Sequence, residues 1–351
     1  MISSFAALRF FNALLIFAHH KNAIENPYML AIGPCAVSFF FMLSGFSMCL
    51  GYYQKTIEQR FSWSRFMAKR IIRIYPLHLL CLGFWIILNY KAVIGEYNRI
   101  VLLSNFFLLQ SWIPKSSFYF SGNALSWCLS DLMFFYAVFP FCCTVIQNQK
   151  RRIVFSLVIP VIYFALLPFI HCDYIHAFVY INPLFRFIDF YIGILLYIYR
   201  AYTKLKESYS YEVNISDMMA VFIQLFSIVV TVLAIYVYPK IPETLRYQSL
   251  FWIPSALVLL VFSLFDRKGI SKLFDNKLFG YLGKISFTFY MLHMLGISAT
   301  NFVFSKCGIE MNFVIKALIQ FVFVLFGSMI VNRFFEKPVC KKLKNLHNNG
   351  I

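Results

Sequence analysis

The chain has 351 residues, of which 61% are hydrophobic and 13% charged, with a mean hydropathy of +0.72. Soluble domains carry about 45–50% apolar and about 25% charged residues, so a soluble bundle is excluded; apolar runs that match the roughly 20 residues of a lipid-spanning helix recur along the whole length. The formal net charge of +18 then reads as membrane topology and attraction to anionic headgroups, not as nucleic-acid binding.

Ten segments are expected to span the membrane, at about 4–20, 33–52, 71–90, 128–147, 153–170, 180–199, 217–238, 249–265, 279–303 and 312–334. They are apolar all round, without the polar stripe of a soluble helix. The predicted fold class is therefore all-α, a polytopic membrane protein of about ten transmembrane helices. A shorter apolar piece, VLLSNFFLLQSWI (101–113), reads as interfacial or re-entrant. No internal repeat separates one part from another, so residues 1–351 are expected to form a single membrane domain with no fused extracytoplasmic domain. MISSFAALRF has no basic leader and no small-residue cleavage site follows it, so the first run is expected to remain in the mature chain.

If the N-terminus is cytoplasmic, the loops then inside carry roughly three times as many Lys and Arg as those outside, which predicts both termini on the cytoplasmic side. The nine cysteines offer no C-x-x-C pair, and most lie in apolar runs. They are expected to pack as small hydrophobes, without disulfide or metal.

Taken along the chain, ionisable groups recur inside these apolar runs. In LRFFNALLIFAHH, Arg9 and His20 are eleven residues apart, which is three helical turns plus about 20°. Both fall on one helix face, about 16 Å apart along the axis, while His19 points elsewhere. A charge in a membrane normally faces a bundle interior or a wet cavity; the alternative is that Arg9 snorkels to headgroups and the histidines sit at the interface. FSWSRFMAKRIIRIYP places Arg65, Lys69, Arg70 and Arg73 at the cytoplasmic start of the third span, with Tyr75 and Pro76 just inside. Such a cluster serves as positive-inside anchoring, and its guanidinium groups also suit a polyphosphate ligand. Asp131 opens the fourth span, where it could orient a histidine or lie at the interface. Arg186 and Asp189 are i, i+3 in the sixth, a spacing that allows a mutual ion pair. Lys284, Ser286, Tyr290 and His293 lie in the ninth span, where Ser286, Tyr290 and His293 share a face. Glu336 ends the tenth span before Pro338. Together these groups suggest one polar chamber within the bundle.

The same stretches resemble the membrane-bound acyltransferase family 3, whose members O-acylate surface glycans and related acceptors. The resemblance runs in order along nearly the whole chain. Its Arg, ten residues, His pattern falls on Arg9 and His20, and FFMLSGF (40–46) is similar to its FF-x-L-S-G-F element. Arg70 and Arg73, followed by Tyr75 and Pro76, match its R-x-x-R and Tyr-Pro; WCLSDLMFFY (127–136) resembles its W-S-L-S-x-E-x-x-F-Y. RFIDFYIG (186–193), GKISFTFYMLH (283–293) and FEKP (335–338) resemble its later elements. One departure stands out: the family's Glu position is Leu132 here, and the carboxylate, Asp131, lies one residue earlier, a helical step of about 100°.

The resemblance implies that the chamber receives an acyl-CoA donor, most often acetyl-CoA, from the cytoplasm, and that the acceptor is a glycan or glycolipid in or beyond a bacterial inner membrane. It implies donor binding by Arg65, Arg70, Arg73 and Tyr75, and catalysis by His20 with Arg9 and Asp131. Tyr290, His293 and Arg186 are the implied acceptor contacts, and no metal is implied. A neutral His20 could take the acceptor proton or be acylated first, with Asp131 or Glu336 orienting it. A polysaccharide polymerase or flippase, and a non-catalytic receptor or scaffold, are the other classes that ten spans with basic loops allow. Oligomeric state is not legible.

Overall fold

The computed structural model describes residues 2–22, 26–89, 99–209 and 215–349, and among these there are helices and no strands. The principal helices are α1 (Ser4–Asn22), α2 (Pro27–Ile57), α3 (Trp63–Leu88), α4 (Arg99–Phe106), α5 (Trp127–Gln147), α6 (Gln149–Leu166), α7 (Pro183–Tyr209), α8 (Asp217–Val237), α9 (Trp252–Leu264), α10 (Lys277–Lys306), α11 (Phe313–Val331) and α12 (Lys337–Asn349). Among the described residues, eight helical stretches are long and apolar enough to cross a membrane. The chain is an all-α, multi-pass membrane protein. The other two predicted spans are also helical. In one, α1 concentrates Arg9 and Lys21 in 19 residues; the other, Ser249–Leu264, is shorter.

Local chemistry sets where the helices begin. Asn26 caps α2 by accepting the Tyr28 amide at 2.9 Å, with Pro27 at the first helical position. Asn148, Ser216 and Asn312 cap α6, α8 and α11 in the same way. The segment predicted as interfacial or re-entrant is a short helix, α4, followed by a 3-10 turn at Gln110–Trp112. Polar side chains hold it. Ser111 donates to Ser130 at 2.6 Å, Gln110 to Ser126 at 3.2 Å, and Asn105 to the Val101 carbonyl at 3.0 Å. Between the third and fourth predicted spans, residues 90–98 lie outside the described residues.

The chain forms two compact units. The first is Met1–Phe61 with Phe134–Lys284, and the second is Ser62–Met133 with Ile285–Ile351. In the first unit, Phe5, Leu8, Phe39, Met42, Phe46, Leu259 and Phe262 build a core among α1, α2 and α9. Its tightest crossing is α2 against α7. A side chain at Gly45 would collide with the carbonyl of Phe190, and one at Gly193 would collide with that of Met42. Helices in lipid gain nothing from burying apolar surface against each other, so small residues that admit close backbone approach carry their association. The Gly of LSGF and the Gly of FYIG are thus two sides of one contact. Beside it, Arg186 and Asp189 form the ion pair that their spacing predicts, 2.9 Å apart and with both side chains fully buried.

In the second unit, α3 packs against α12, where the Cys340 thiol lies 3.2 Å from the Ile72 carbonyl. A π-helical turn, Asn332–Glu336, joins α11 to α12. The crossing in the first unit yields a prediction. Gly193→Leu places a branched side chain against the Met42 backbone and is expected to abolish folded, monodisperse protein in detergent chromatography. Gly51→Ala, at a position whose added carbon meets nothing within 4 Å, is expected to leave the elution profile unchanged.

Candidate active site

The first unit contains α1 and both ends of the Arg9–His20 pattern. At its start, Arg9 is half-buried and donates from Nη2 to the Ser47 hydroxyl at 3.2 Å. It lines a cavity of about 610 Å³ together with Ile2, Phe5, Ser47, Gly51, Arg200 and Asp266. At its far end the two histidines part. The His19 ring lies over Gly33, where an added carbon would come within 2.8 Å of its Nε2, and its Nδ1 bonds the Met29 carbonyl at 2.9 Å. His19 is thereby packed into the α1–α2 contact. His20 is exposed, and its Nδ1 lies 2.8 Å from the Ile16 carbonyl. A carbonyl only accepts, so Nδ1 carries the proton and Nε2 carries the basic lone pair.

Arg186 belongs to this unit as well. Its guanidinium pairs with Asp189, donates to Ser38 at 3.1 Å and to the Tyr247 carbonyl at 3.3 Å, and lies against the rings of Phe41 and Tyr180.

The second unit holds the other residues singled out in the sequence. On α3, Arg65 is exposed, Arg70 is half-buried with its guanidinium 5.4 Å from the Phe66 ring centre, and Tyr75 is half-buried near His78. Arg73 forms an ion pair with Glu336, whose side chain is fully buried while that of Arg73 is 43% exposed. The Glu336 carboxylate also accepts from the Thr288 hydroxyl and, at 2.7 Å, from Asn332. Glu336, proposed above as an orienter of His20, is thus built into a network with Arg73, Thr288 and Asn332. The π turn supplies two of its members, and such turns recur at functional sites.

Elsewhere in this unit, Asp131 is fully buried while its neighbour Leu132 is half-buried. The one-residue departure from the family pattern therefore still delivers a carboxylate to the interior. The Tyr290 hydroxyl donates to the Leu125 carbonyl at 3.0 Å, and His293, fully buried, holds the Tyr290 carbonyl at 2.7 Å.

Several polar groups escaped the sequence reading. His78 is fully buried and bonds the Asn105 carbonyl at 2.9 Å. Arg200 and Asp266 line the Arg9 cavity although, as residues at span ends, they resemble ordinary loop charges. Among the described residues, His171, Cys172 and Asp173 bring three metal-ligating atoms within 4.8 Å of one another, all of them exposed.

A multi-pass helical protein with these elements in this order belongs to an acyltransferase family: residues 3–333 match the family model described as an acyltransferase domain. The FEKP element lies just beyond that match. The acyltransferase MdmB of Streptomyces mycarofaciens is 32% identical over 153 residues, 40% of this chain and 38% of that protein. The chain therefore spans less than two fifths of the length of that curated relative. No solved structure matches the chain.

The network on Glu336 makes a testable claim about stability. Arg73→Ala leaves a fully buried carboxylate without its cation, and because Arg73 stands partly in solvent the loss is expected below the about 3–5 kcal/mol of a fully buried pair. Glu336→Gln keeps the groups that can bond Thr288 and Asn332 and returns Arg73 to solvent. Thermal unfolding in detergent should show the larger drop for Arg73→Ala; an equal or smaller drop contradicts the network as described.

Proposed function

We propose that the chain is an O-acyltransferase that moves an acyl group, acetyl first among the candidates, from cytoplasmic acyl-CoA to a hydroxyl of a surface glycan or glycolipid such as O-antigen or exopolysaccharide. In this reading it lies in a bacterial inner membrane with both termini cytoplasmic. The single observation that carries it is the geometry of α1 in a chain of an acyltransferase family. One end presents a guanidinium to a cavity; the other, three turns on, presents an exposed imidazole whose tautomer makes Nε2 basic.

The chemistry follows from that ring. Nε2 takes the proton of the acceptor hydroxyl as its oxygen attacks the thioester carbonyl. The tetrahedral intermediate collapses, the C–S bond breaks, and the departing CoA thiolate takes the proton from the imidazolium. In the two-step variant Nε2 itself attacks, CoA leaves as the thiolate, and the acyl-imidazolium passes its group to the hydroxyl, whose proton goes to the thiolate as the neutral imidazole is regenerated. Arg9 holds the donor from the cytoplasmic end. The same reading gives Arg65, Arg70 and Tyr75 to the donor, Tyr290 and His293 to the acceptor, and to Asp131 the orienting of catalytic groups. The Arg186–Asp189 pair supports this reading less, because the bonds described above already engage that guanidinium.

The test is transfer from labelled acetyl-CoA to purified glycan by the protein in nanodiscs. His20→Ala is expected to lose at least about 100-fold in rate, the usual contribution of a general base, while eluting as folded protein. His19→Ala, which removes a packing group, is expected to keep most of the activity. Full activity of His20→Ala removes the imidazole from the mechanism. Arg70→Ala is expected to raise KM for acetyl-CoA with kcat little changed, and an unchanged KM removes Arg70 from donor binding. Glycan from a deletion strain, analysed by mass spectrometry, is expected to lack an acyl group present in the parent.

A further inference from the structure

Between α6 and α7, in the first unit, the chain brings His171, Cys172 and Asp173 together, and the chemistry of acyl transfer uses none of them. All three are exposed. Cys172 thus departs from the expectation that cysteines here pack as small hydrophobes; Cys307 is the other exposed cysteine.

A tight turn makes the three side chains converge. His171 precedes a 3-10 turn at Cys172–Tyr174, which the Tyr174 amide closes by donating to the His171 carbonyl at 2.9 Å. The Asp173 amide donates to His171 Nδ1 at 3.4 Å. An amide only donates, so Nδ1 presents a lone pair and Nε2 carries the proton. That lone pair faces a carboxylate, since Nδ1 lies 3.3 Å from Asp173 Oδ2. The Cys172 sulfur completes a triangle, 3.7 Å from Nδ1 and 3.7 Å from Asp173 Oδ1. Electron-rich atoms this close repel, and a cation among them turns the repulsion into attraction.

The distances select a cation. Tetrahedral zinc, with bonds of about 2.0–2.2 Å to nitrogen and oxygen and about 2.3 Å to sulfur, holds its ligands about 3.3–3.6 Å from one another. The three separations here, 3.3, 3.7 and 3.7 Å, lie at that spacing before any ion has drawn the ligands in. Imidazole, thiolate and carboxylate are donors that zinc accepts together, whereas calcium and magnesium take oxygen alone.

We propose that His171, Cys172 and Asp173 form a zinc site, with water in the fourth position. On binding, the Cys172 thiol releases its proton to solvent and its sulfur bonds the metal. The metal ties the link between α6 and the π-helical turn at His176–Ile181 into one conformation. The proposal does not rest on the acyl-transfer reading.

The experiment uses the full-length, reduced protein in phosphatidylcholine nanodiscs, with any histidine tag removed. Cobalt(II), a coloured substitute for zinc, is expected to give a thiolate-to-metal absorption band that saturates at one ion per chain. Cys172→Ser should abolish the band, and Cys307→Ser should keep it. Zinc is expected to slow maleimide alkylation of Cys172, read by peptide mass spectrometry, and to leave Cys307 unaffected. His171→Ala and Asp173→Asn retain the thiol, and each is expected to weaken zinc affinity at least about tenfold, the loss that follows even from removing an outer partner of a ligand. A cobalt spectrum without the thiolate band, a band that survives Cys172→Ser, or protection by zinc that is the same in His171→Ala and Asp173→Asn as in the wild type overturns the site. Should a variant fail to fold, the wild type alone still decides: equal effects of zinc on Cys172 and Cys307, or no effect on either, overturn the proposal.

Discussion

The contact between Gly45 and Phe190, answered by that between Gly193 and Met42, is the constraint on which the first unit depends. In lipid, apolar side chains gain little by leaving one apolar neighbour for another. Two backbones in touch, with dispersion along their length, are what set α2 and α7 at one depth and angle. α1 then has a surface to lie on. Its register against α2 is read out at the His19 ring over Gly33, and that docking decides which histidine is packed and which is exposed. The chemistry proposed for His20 is thus conditional on glycines that touch no substrate.

The ionisable groups divide by how completely the protein answers them. Arg186 and Asp189 are both fully buried, and serine, carbonyl and aromatic partners surround the guanidinium. Such a pair stabilises the fold weakly but is costly to break from one side. Arg73 and Glu336 differ: the acid is enclosed and the base stands partly in solvent. Arg9 and Arg200 line an open space instead. Charges in a membrane are expensive, and these three settlements mark a structural pair, a pair at a boundary and two guanidiniums on the wall of one cavity.

Apolar run length was enough to place the helices, because a lipid-facing helix must be apolar throughout its thickness. The same criterion blurred at α1 and Ser249–Leu264, where charge or brevity weakens the signal although the chain is still helical. The Arg9–His20 relation was legible because it is local, eleven residues on one helix. The Arg186–Asp189 pair was legible for the same reason. Glu336 was not, since its cation lies 263 residues away along the chain and no spacing rule reaches that far. Arg200 was missed for a different reason. A cation at the end of a span has the same sequence signature whether it meets headgroups or a cavity, and only packing distinguishes them.

The wide turn at Asn332–Glu336 has a consequence for how the last helices can vary. A π turn accommodates one extra residue in an otherwise α-helical run, so it shifts everything beyond it by about 100° relative to a continuous helix. The lipid-facing surface of α11 and the lysine-rich surface of α12 are therefore phased independently. Losing a single residue there would straighten the helix and swing the carboxylate of Glu336 away from Thr288 while leaving both flanking sequences intact. Homologous chains that differ in length at this point should differ in what their second unit encloses.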